Sequence, residues 1–278
     1  ARLNSLFPVM LAEQAARPGS VRGRVLPIGR PSARPFPSRD IADMLVMGSL
    51  PGVWGRMGRR DLESYASLYI EEEVAREALV RRLGPFVRFL QLAAIESGRC
   101  VNLTKLSQES GLPLMTVRGF YSVLEDTLLG FTLAPFSHSP RVRLLKTPKF
   151  YFFDLGVRNA VAGLPLEEGI LSTQAGQLFE HWAACELFWR VSYLGKGYSL
   201  EFWRTAGGAE VDLVIKTPKE AIPVEVKYTE NPRPADASSI EHFISLHPGL
   251  ADRGFVLCRA KRVEQLSEHV QAMPWDEL

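Results

Sequence analysis

Residues 209–227 limit the possible folds of this chain more than any other stretch, because two alternating segments surround one short turn. The segments read AEVDLVIK and AIPVEVK, and the four residues TPKE separate them. Alternation of apolar and polar residues is typical of a half-buried strand, and a Pro-containing connection of this length predicts an antiparallel hairpin. The simplest register about that turn pairs Lys216 with Ala221.

This register places charged side chains together on one face of the hairpin. Asp212 lies opposite Glu225, and Glu210 lies opposite Lys227. Two carboxylates directly across a strand pair repel each other and destabilise the sheet, so their presence there favours a cation between them. The other face is an apolar core side, made up of Val211, Leu213, Ile215, Ile222, Val224 and Val226.

The carboxylates of Asp212 and Glu225 are oxygen ligands of the kind that Mg²⁺ or Mn²⁺ prefers. Lys227 follows Glu225 by two residues and therefore shares its face, where its ammonium group can stabilise a phosphate under attack. Glu180 is a further candidate, because it lies in an otherwise apolar helix where an unpaired carboxylate is costly. A plainer interpretation is also open, in which Glu210 and Lys227 form a salt bridge and the two carboxylates face solvent.

The charge and cysteine content narrow the class of protein. The formal charge is only +2, although residues 1–60 carry ten Arg, no Lys and three acids; this lead segment can contact phosphates or simply be solvated. The three cysteines are widely spaced and form neither a disulfide framework nor a zinc pattern. With no stretch of membrane-spanning length and no signal-peptide pattern, we expect a cytoplasmic protein without a membrane partner.

Residues 41–160 predict a helical domain that ends in a winged helix-turn-helix. Asn102 and Gly111 bracket a short helix, and a second helix begins at Pro113, so two helices meet at a tight glycine-containing turn. Two strand-like segments then form the wing. The predicted helices are a short one from Ile41 that ends in the turn at 48–52, then 64–82, 85–97, 102–111 and 113–125, with strands at 128–135 and 142–153.

The basic residues of this winged helix are candidates for contacts to DNA. Arg118 lies on the exposed side of the second helix, whereas Arg141, Arg143 and Lys146 lie in the wing. Arg118 is the only base on the second helix, and two acids follow near its end. The domain can therefore also be a protein-interaction domain or a spacer.

Residues 165–278 predict an α/β sandwich with a mixed sheet. Three meandering strands are followed by a crossover helix and a fourth strand, which mixes antiparallel and parallel neighbours. With a lead segment at 1–40 and the helical domain at 41–160, the fold class is predicted to be α/β, and α+β for the chain overall. The predicted elements are helix 172–190, strands 199–205, 209–216 and 221–227, helix 236–246, strand 253–258 and a final helix 262–271.

The order of the acidic residues, a helix Glu, then Asp, then Glu-x-Lys across a hairpin, resembles the site of the PD-(D/E)XK nuclease superfamily. By this resemblance Glu180, Asp212, Glu225 and Lys227 are the catalytic residues, and the three acids bind Mg²⁺ or Mn²⁺. The resemblance implies a restriction-endonuclease-like fold and DNA as the partner. It also places Arg204 in the groove that holds the phosphates.

A longer resemblance covers residues from about 45 to 256, which are similar to the C-terminal half of a family of prokaryotic AAA-type ATP-binding proteins. Members of that family carry an N-terminal ATPase domain with a Walker A loop. No GxxxxGK[ST] occurs in this sequence, so we expect no ATP site in it, and we expect residues 1–40 to be a remnant of the end of such a domain. The matching stretches are GSLPG at 48–52, YASLYI at 65–70, LEDTL at 124–128, KFYFFD at 149–154, GQLFE at 176–180, WRT at 203–205 and GAEVD at 208–212.

Two hypotheses follow. In the first, the chain is a DNA-directed module of an AAA-type ATPase-like protein, with a Mg²⁺-dependent phosphodiesterase site. In the second, it is a non-catalytic module that keeps an inert nuclease-like fold and binds nucleic acid, a protein partner or an ATPase domain.

Overall fold

The computed structural model describes residues 8–15, 25–26, 36–54, 58–66, 83–137 and 147–278, and these fall into two compact units. The predicted fold class is confirmed, since a helical part precedes a sheet-containing part and the sheet is mixed. Unit 1 comprises Ala1–Val9, Arg39–Thr132 and Thr147–Trp182, and unit 2 comprises Met10–Ser38, Leu133–Lys146 and Ala183–Leu278.

Unit 1 consists mainly of helices. Most of the predicted helix 64–82 lies outside the described residues, as does the start of the predicted strand 142–153, of which Lys149–Phe152 is observed. The helices of this unit are α1 (Ile41–Met47), α2 (Arg59–Ser64), α3 (Leu83–Ile95), α4 (Leu103–Ser110), α5 (Leu114–Asp126), α6 (Leu155–Val161) and the first half of α7 (Leu171–Leu194), and its strands are the start of β1 (Gly130–Pro135) and β2 (Lys149–Phe152).

Helices α4 and α5 form the predicted pair around a tight turn. The Asn102 side chain accepts a hydrogen bond from the backbone N–H of Lys105 at 2.9 Å and caps the start of α4. Gly111 ends α4 in the left-handed conformation, with φ 67°, which a glycine adopts without steric cost. Phe120 on α5 is only half-buried, and the buried positions of α5 are Val117, Tyr121, Val123 and Leu124.

A buried acid joins the glycine-rich turn after α1 to the start of α6. Asp154 caps α6 by accepting a hydrogen bond from the N–H of Val157 at 3.0 Å, and it accepts a second one from the N–H of Ser49 at 2.6 Å. Gly156 allows this approach, because a Cβ there would lie 2.1 Å from the backbone oxygen of Met47. The GSLPG and KFYFFD stretches therefore meet in one place.

The buried His181 in α7 should make the stability of unit 1 depend on pH. Its Nε2 lies 2.8 Å from the carbonyl oxygen of Phe152, so the neutral ring carries its proton there. Burial and, to a smaller extent, the charge of Arg158 lower the pKa of His181 to about 3, although that hydrogen bond acts in the opposite direction. The unfolded chain therefore takes up this proton first, at its ordinary pKa of about 6.5.

We expect the neutral, buried ring of His181 to make its full contribution to the free energy of unfolding above pH 6.5. This contribution is lost as the pH falls towards 3. Its loss lowers the free energy of unfolding by about 1.4 kcal/mol per pH unit between pH 6 and 4. Denaturant titrations of the wild type and of His181→Gln, which keeps an N–H donor for Phe152, measure it. Equal pH slopes in the two proteins would contradict the prediction.

Unit 2 is built on a mixed sheet in the order β1-β3-β4-β5-β6-β8-β7. Helix α8 (Ser238–Leu246) packs on one face, where Ile240, Phe243 and Ile244 join Val214, Ala221 and Val256 in one core cluster. The pairs β3–β4, β4–β5 and β7–β8 are antiparallel, whereas β1–β3, β5–β6 and β6–β8 are parallel. The strands are β3 (Ser199–Arg204), β4 (Glu210–Lys216), β5 (Ala221–Val226), β6 (Gly254–Cys258), β7 (Glu264–Gln265) and β8 (Val270–Pro274).

The predicted final helix at 262–271 is wrong, because this segment forms β7, a turn and the start of β8. Val263, Leu266 and Val270 occur at intervals of three and four, which imitates one face of a helix. In the fold, β8 instead pairs in parallel with β6 along its whole length, and Val270 is fully buried. Backbone pairing with an existing sheet edge thus overrides a local helical pattern.

Candidate functional site

The hairpin of β4 and β5 has the register that its sequence predicted. Lys216 pairs with Ala221, and the ladder continues to Leu213 and Val224. Asp212 and Glu225 follow the last pair of this ladder, and the hydrogen bond from the N–H of Val226 to Oδ2 of Asp212 keeps Asp212 beside this end of β5. Both carboxylates thus stand at the end of the hairpin that lies away from its turn.

A β-bulge on β4 modifies this arrangement at the position of Asp212. Between the pairs Glu201–Val214 and Trp203–Val211, β3 contributes one residue and β4 contributes two. Val211 consequently joins the same core cluster as Val214, although simple alternation predicted the opposite face for it. Bulges change the direction of a side chain and are frequent beside active sites.

The two carboxylates of the hairpin have different environments. The half-buried Asp212 accepts a hydrogen bond through Oδ2 from the backbone N–H of Val226 at 2.9 Å. Glu225 is 7% exposed, and its Oε1 accepts a hydrogen bond from Nζ of Lys227 at 2.7 Å. Asp212 is therefore held by the backbone of the partner strand, and Glu225 is held by the lysine that follows the end of its own strand.

Lys227 is the positive centre of this cluster. Burial lowers the pKa of its ammonium group, but the hydrogen bond and charge of Glu225, together with the charges of Asp212 and Asp236, outweigh burial and raise the pKa. Lys227 therefore remains protonated at neutral pH. Glu210 forms its ion pair with Arg204, at 3.7 Å between Oε2 and Nε, while Lys227 pairs with Glu225.

Glu180 has partners of its own in unit 1. Its Oε1 accepts hydrogen bonds from Nζ of Lys149 at 3.2 Å and from the hydroxyl group of Tyr151 at 3.0 Å. The buried lysine provides the pairing that a carboxylate on this apolar helix requires. Among the residues that the structure describes, no three or more His, Cys, Asp or Glu side chains form a group that could hold a metal ion.

The predicted DNA contacts are only partly described. Arg118 is exposed on α5, and Arg204 is exposed at the end of β3. Arg141, Arg143 and Lys146 lie outside the described residues. The exposed side of α5 also carries Met115, which is 67% exposed, so this helix presents both a positive charge and an apolar side chain.

Two features of unit 2 were missed in the sequence. Asp236 contributes to the charge around Lys227, and its only local signal is its place after the prolines of the segment PRPAD. Glu186 and Arg190 in the second half of α7 form a buried ion pair. Their spacing of four residues on one helix was a visible signal for a pair, but the pattern alone does not distinguish a buried pair from a surface one.

Comparisons with known proteins identify two regions of this chain. Residues 175–278 match a family described as a domain of unknown function (DUF4143), and residues 38–168 match a second one (DUF8612). Neither a curated protein nor a solved structure was found to match the chain. Of the helices within the described residues, none is long and apolar enough to cross a membrane.

Proposed function

We propose that unit 2 is a DNA-directed phosphodiesterase module that uses a divalent metal ion. The observation that carries this proposal is the cluster at the end of the β4–β5 hairpin, where Asp212 accepts a hydrogen bond from the N–H of Val226 at 2.9 Å and Lys227 contacts Glu225 at 2.7 Å. Two acids and a protonated lysine on neighbouring strands provide the charges that a phosphoryl group under attack requires.

The residues of this cluster fit a hard divalent cation. Asp212 and Glu225 would hold Mg²⁺ or Mn²⁺ through carboxylate oxygens, which are the ligands these ions prefer. When bound, the ion would polarise the phosphate and lower the pKa of a water molecule. The hydrogen bond from Val226 fixes one oxygen of Asp212, so the direction of this carboxylate is set before any ligand arrives.

Lys227 is the side chain of this cluster that would act on the phosphate directly. Its raised pKa keeps the ammonium group charged, so it can stabilise negative charge that builds up on a phosphate oxygen. Glu225 positions this ammonium group through the 2.7 Å hydrogen bond. Lys227 thus acts by electrostatic stabilisation, because a lysine held in its charged form has no free pair with which to accept a proton.

DNA is the proposed partner because of the helix pair α4–α5 and the strands that follow it, an arrangement common among DNA-binding modules. The likeness of residues 45–256 to the C-terminal half of AAA-type ATP-binding proteins supports an extension of this proposal, in which the module acts together with an ATPase domain. The Arg118 side chain on α5 is then available for a phosphate contact.

Incubation of the purified protein with linear, branched and single-stranded DNA tests the proposal. With Mg²⁺ or Mn²⁺ we expect cleavage by the wild type and none by Asp212→Asn, because the substitution removes a ligand charge. Glu210→Gln is the matched control, since it removes an acid two residues away that pairs with Arg204. Intact DNA of all three kinds after incubation with the wild type would overturn the enzymatic proposal.

A second candidate function is a non-catalytic DNA-binding or protein-binding module. The pairing of Glu180 with Lys149 and Tyr151 favours it, because this acid already has partners in unit 1. A Mn²⁺ titration by calorimetry distinguishes the two functions. Binding that is lost in Glu225→Gln supports the phosphodiesterase, whereas no binding at millimolar Mn²⁺ supports the non-catalytic module.

A further inference from the structure

The carboxyl ends of several strands in unit 2 lie at one edge of the sheet. β3 and β5 run in the same direction, since each is antiparallel to β4, and β6 is parallel to β5. Arg204 at the end of β3, Lys227 after β5 and the segment after β6 are therefore at this edge. The start of β4, with Asp212, is there as well, because β4 runs the opposite way.

The segment that follows β6 is rich in positive charge. Residues 259–262 read Arg-Ala-Lys-Arg, and they connect β6 to β7. The side chain of Arg262 is 83% exposed and lies 3.4 Å from Glu264. Lys261 is exposed, and it forms no ion pair with any residue in the described part of the chain. These two cations thus face solvent at the end of a strand that neighbours β5.

Backbone hydrogen bonds hold this segment against the loop after β5. The N–H of Lys227 donates to the carbonyl oxygen of Leu257 at 2.9 Å, and the N–H of Arg259 donates to the carbonyl oxygen of Thr229 at 2.8 Å. The ladder between β5 and β6 therefore continues past both strand ends. The Arg259 guanidinium group also lies 4.4 Å from the ring centre of Tyr228, which fixes the start of the basic segment one strand spacing from the loop that contains Lys227.

The order of charges along this edge suits a chain of phosphates. Arg204 lies at the end of β3 and Asp212 near the start of β4. Glu225 and Lys227 follow at the end of β5, and the basic segment 259–262 follows β6. The distance from β3 to β6 is about 14 Å at ordinary strand spacing, which corresponds to about four nucleotides of one DNA strand at 3.4 Å each. Acids alone would repel a polyanion, whereas positive side chains on both flanks attract it.

We propose that Lys261 and Arg262 bind the phosphate backbone of a DNA strand that crosses the carboxyl edge of the sheet beside Asp212 and Glu225. This inference rests on the proposed function, since it takes DNA as the substrate of that site. The contact is to phosphates only and carries no sequence preference. The apolar part of the neighbouring loop, the Tyr228 ring under Arg259, keeps the segment in place.

The test is the affinity of the protein for a fluorescent single strand, measured by anisotropy in EDTA at several salt concentrations. We expect the double charge reversal Lys261→Glu/Arg262→Glu to weaken binding at least tenfold, and loss of two phosphate contacts to reduce the salt slope by about 1.4. The control is Lys196→Glu/Lys219→Glu. It makes the same change in net charge at the turns before β3 and between β4 and β5, which lie at the opposite edge of the sheet.

Equal loss of affinity in both double variants would overturn the inference, because it would show an effect of net charge alone. Unchanged affinity in the Lys261/Arg262 variant would overturn it as well. Failure of the proposed function is a separate result. If binding is lost selectively in this variant but the wild type does not cleave DNA in Mg²⁺, the phosphate contact is supported and the phosphodiesterase proposal is contradicted. Circular dichroism of each variant confirms that the fold is retained.

Discussion

Lys227→Met should strongly slow DNA cleavage and leave the binding of Mn²⁺ intact or tighter. The ammonium group contacts Glu225 at 2.7 Å, and its charge is maintained by Asp212 and Asp236 as well. Its removal takes away the stabilisation of charge on the phosphate, and a single such donor contributes about a hundredfold to a thousandfold in rate. It also removes a positive charge that repels the metal, so the two carboxylates become more available to Mn²⁺.

Cleavage rates with Mg²⁺ and calorimetric titration with Mn²⁺ measure the two effects on the same protein. Lys216→Met is the matched control, because this lysine lies at the other end of the same hairpin, where it pairs with Ala221. The control should cleave DNA at the rate of the wild type. Loss of Mn²⁺ binding in Lys227→Met would contradict the assignment of the metal to Asp212 and Glu225, and undiminished cleavage would contradict the role of the lysine.

Glu186→Leu is expected to be among the most destabilising single substitutions in unit 2. Glu186 and Arg190 are each 5% exposed, and Nη2 of Arg190 lies 2.7 Å from Oε1 of Glu186. The Glu186 carboxylate also accepts hydrogen bonds from the N–H of Leu11, at 3.1 Å to each oxygen, and Nη1 of Arg190 donates to the carbonyl oxygen of Leu278 at 2.6 Å. The pair therefore fixes two distant segments of the chain to one helix.

Removal of one member leaves the other charge buried without compensation, which costs about 3–5 kcal/mol. The double variant Glu186→Leu/Arg190→Met has no such charge, so we expect it to be more stable than Glu186→Leu alone. Denaturant titrations of the four proteins measure the coupling. The exposed pair of Arg253 and Glu220 is the control, because Arg253→Met should change the free energy of unfolding by less than about 1 kcal/mol. Additive effects at Glu186 and Arg190 would contradict the prediction.

The local part of the candidate site could be predicted from the sequence. Alternation over 209–227 determines the hairpin, and a register set by a short turn determines which residues of β4 and β5 are neighbours. Most helix and strand positions in both units could be predicted for the same reason, since period and caps are properties of adjacent residues. The helix at 262–271 was wrongly predicted because β8 takes its conformation from its pairing with the neighbouring strand β6.

The partners of Glu180 could not be predicted. Its place in an apolar helix indicated that it needs a partner, but a lysine or a metal ion would satisfy the same requirement. In the structure, Lys149 and Tyr151 are the partners of Glu180. Both lie on β2, which is separated from α7 by many residues of the sequence. The choice depends on how β2 packs beside α7, which no local pattern encodes.

The sequence by itself therefore determined the hairpin, its register, and the placement of Asp212, Glu225 and Lys227 at the end away from the turn, because all of these follow from spacing along two adjacent strands. Only the tertiary structure decided that a bulge lies at Asp212 and that the basic segment after β6 lies at the same edge of the sheet as this site. Those features depend on which strands become neighbours in the sheet, and that is determined by long-range pairing and burial.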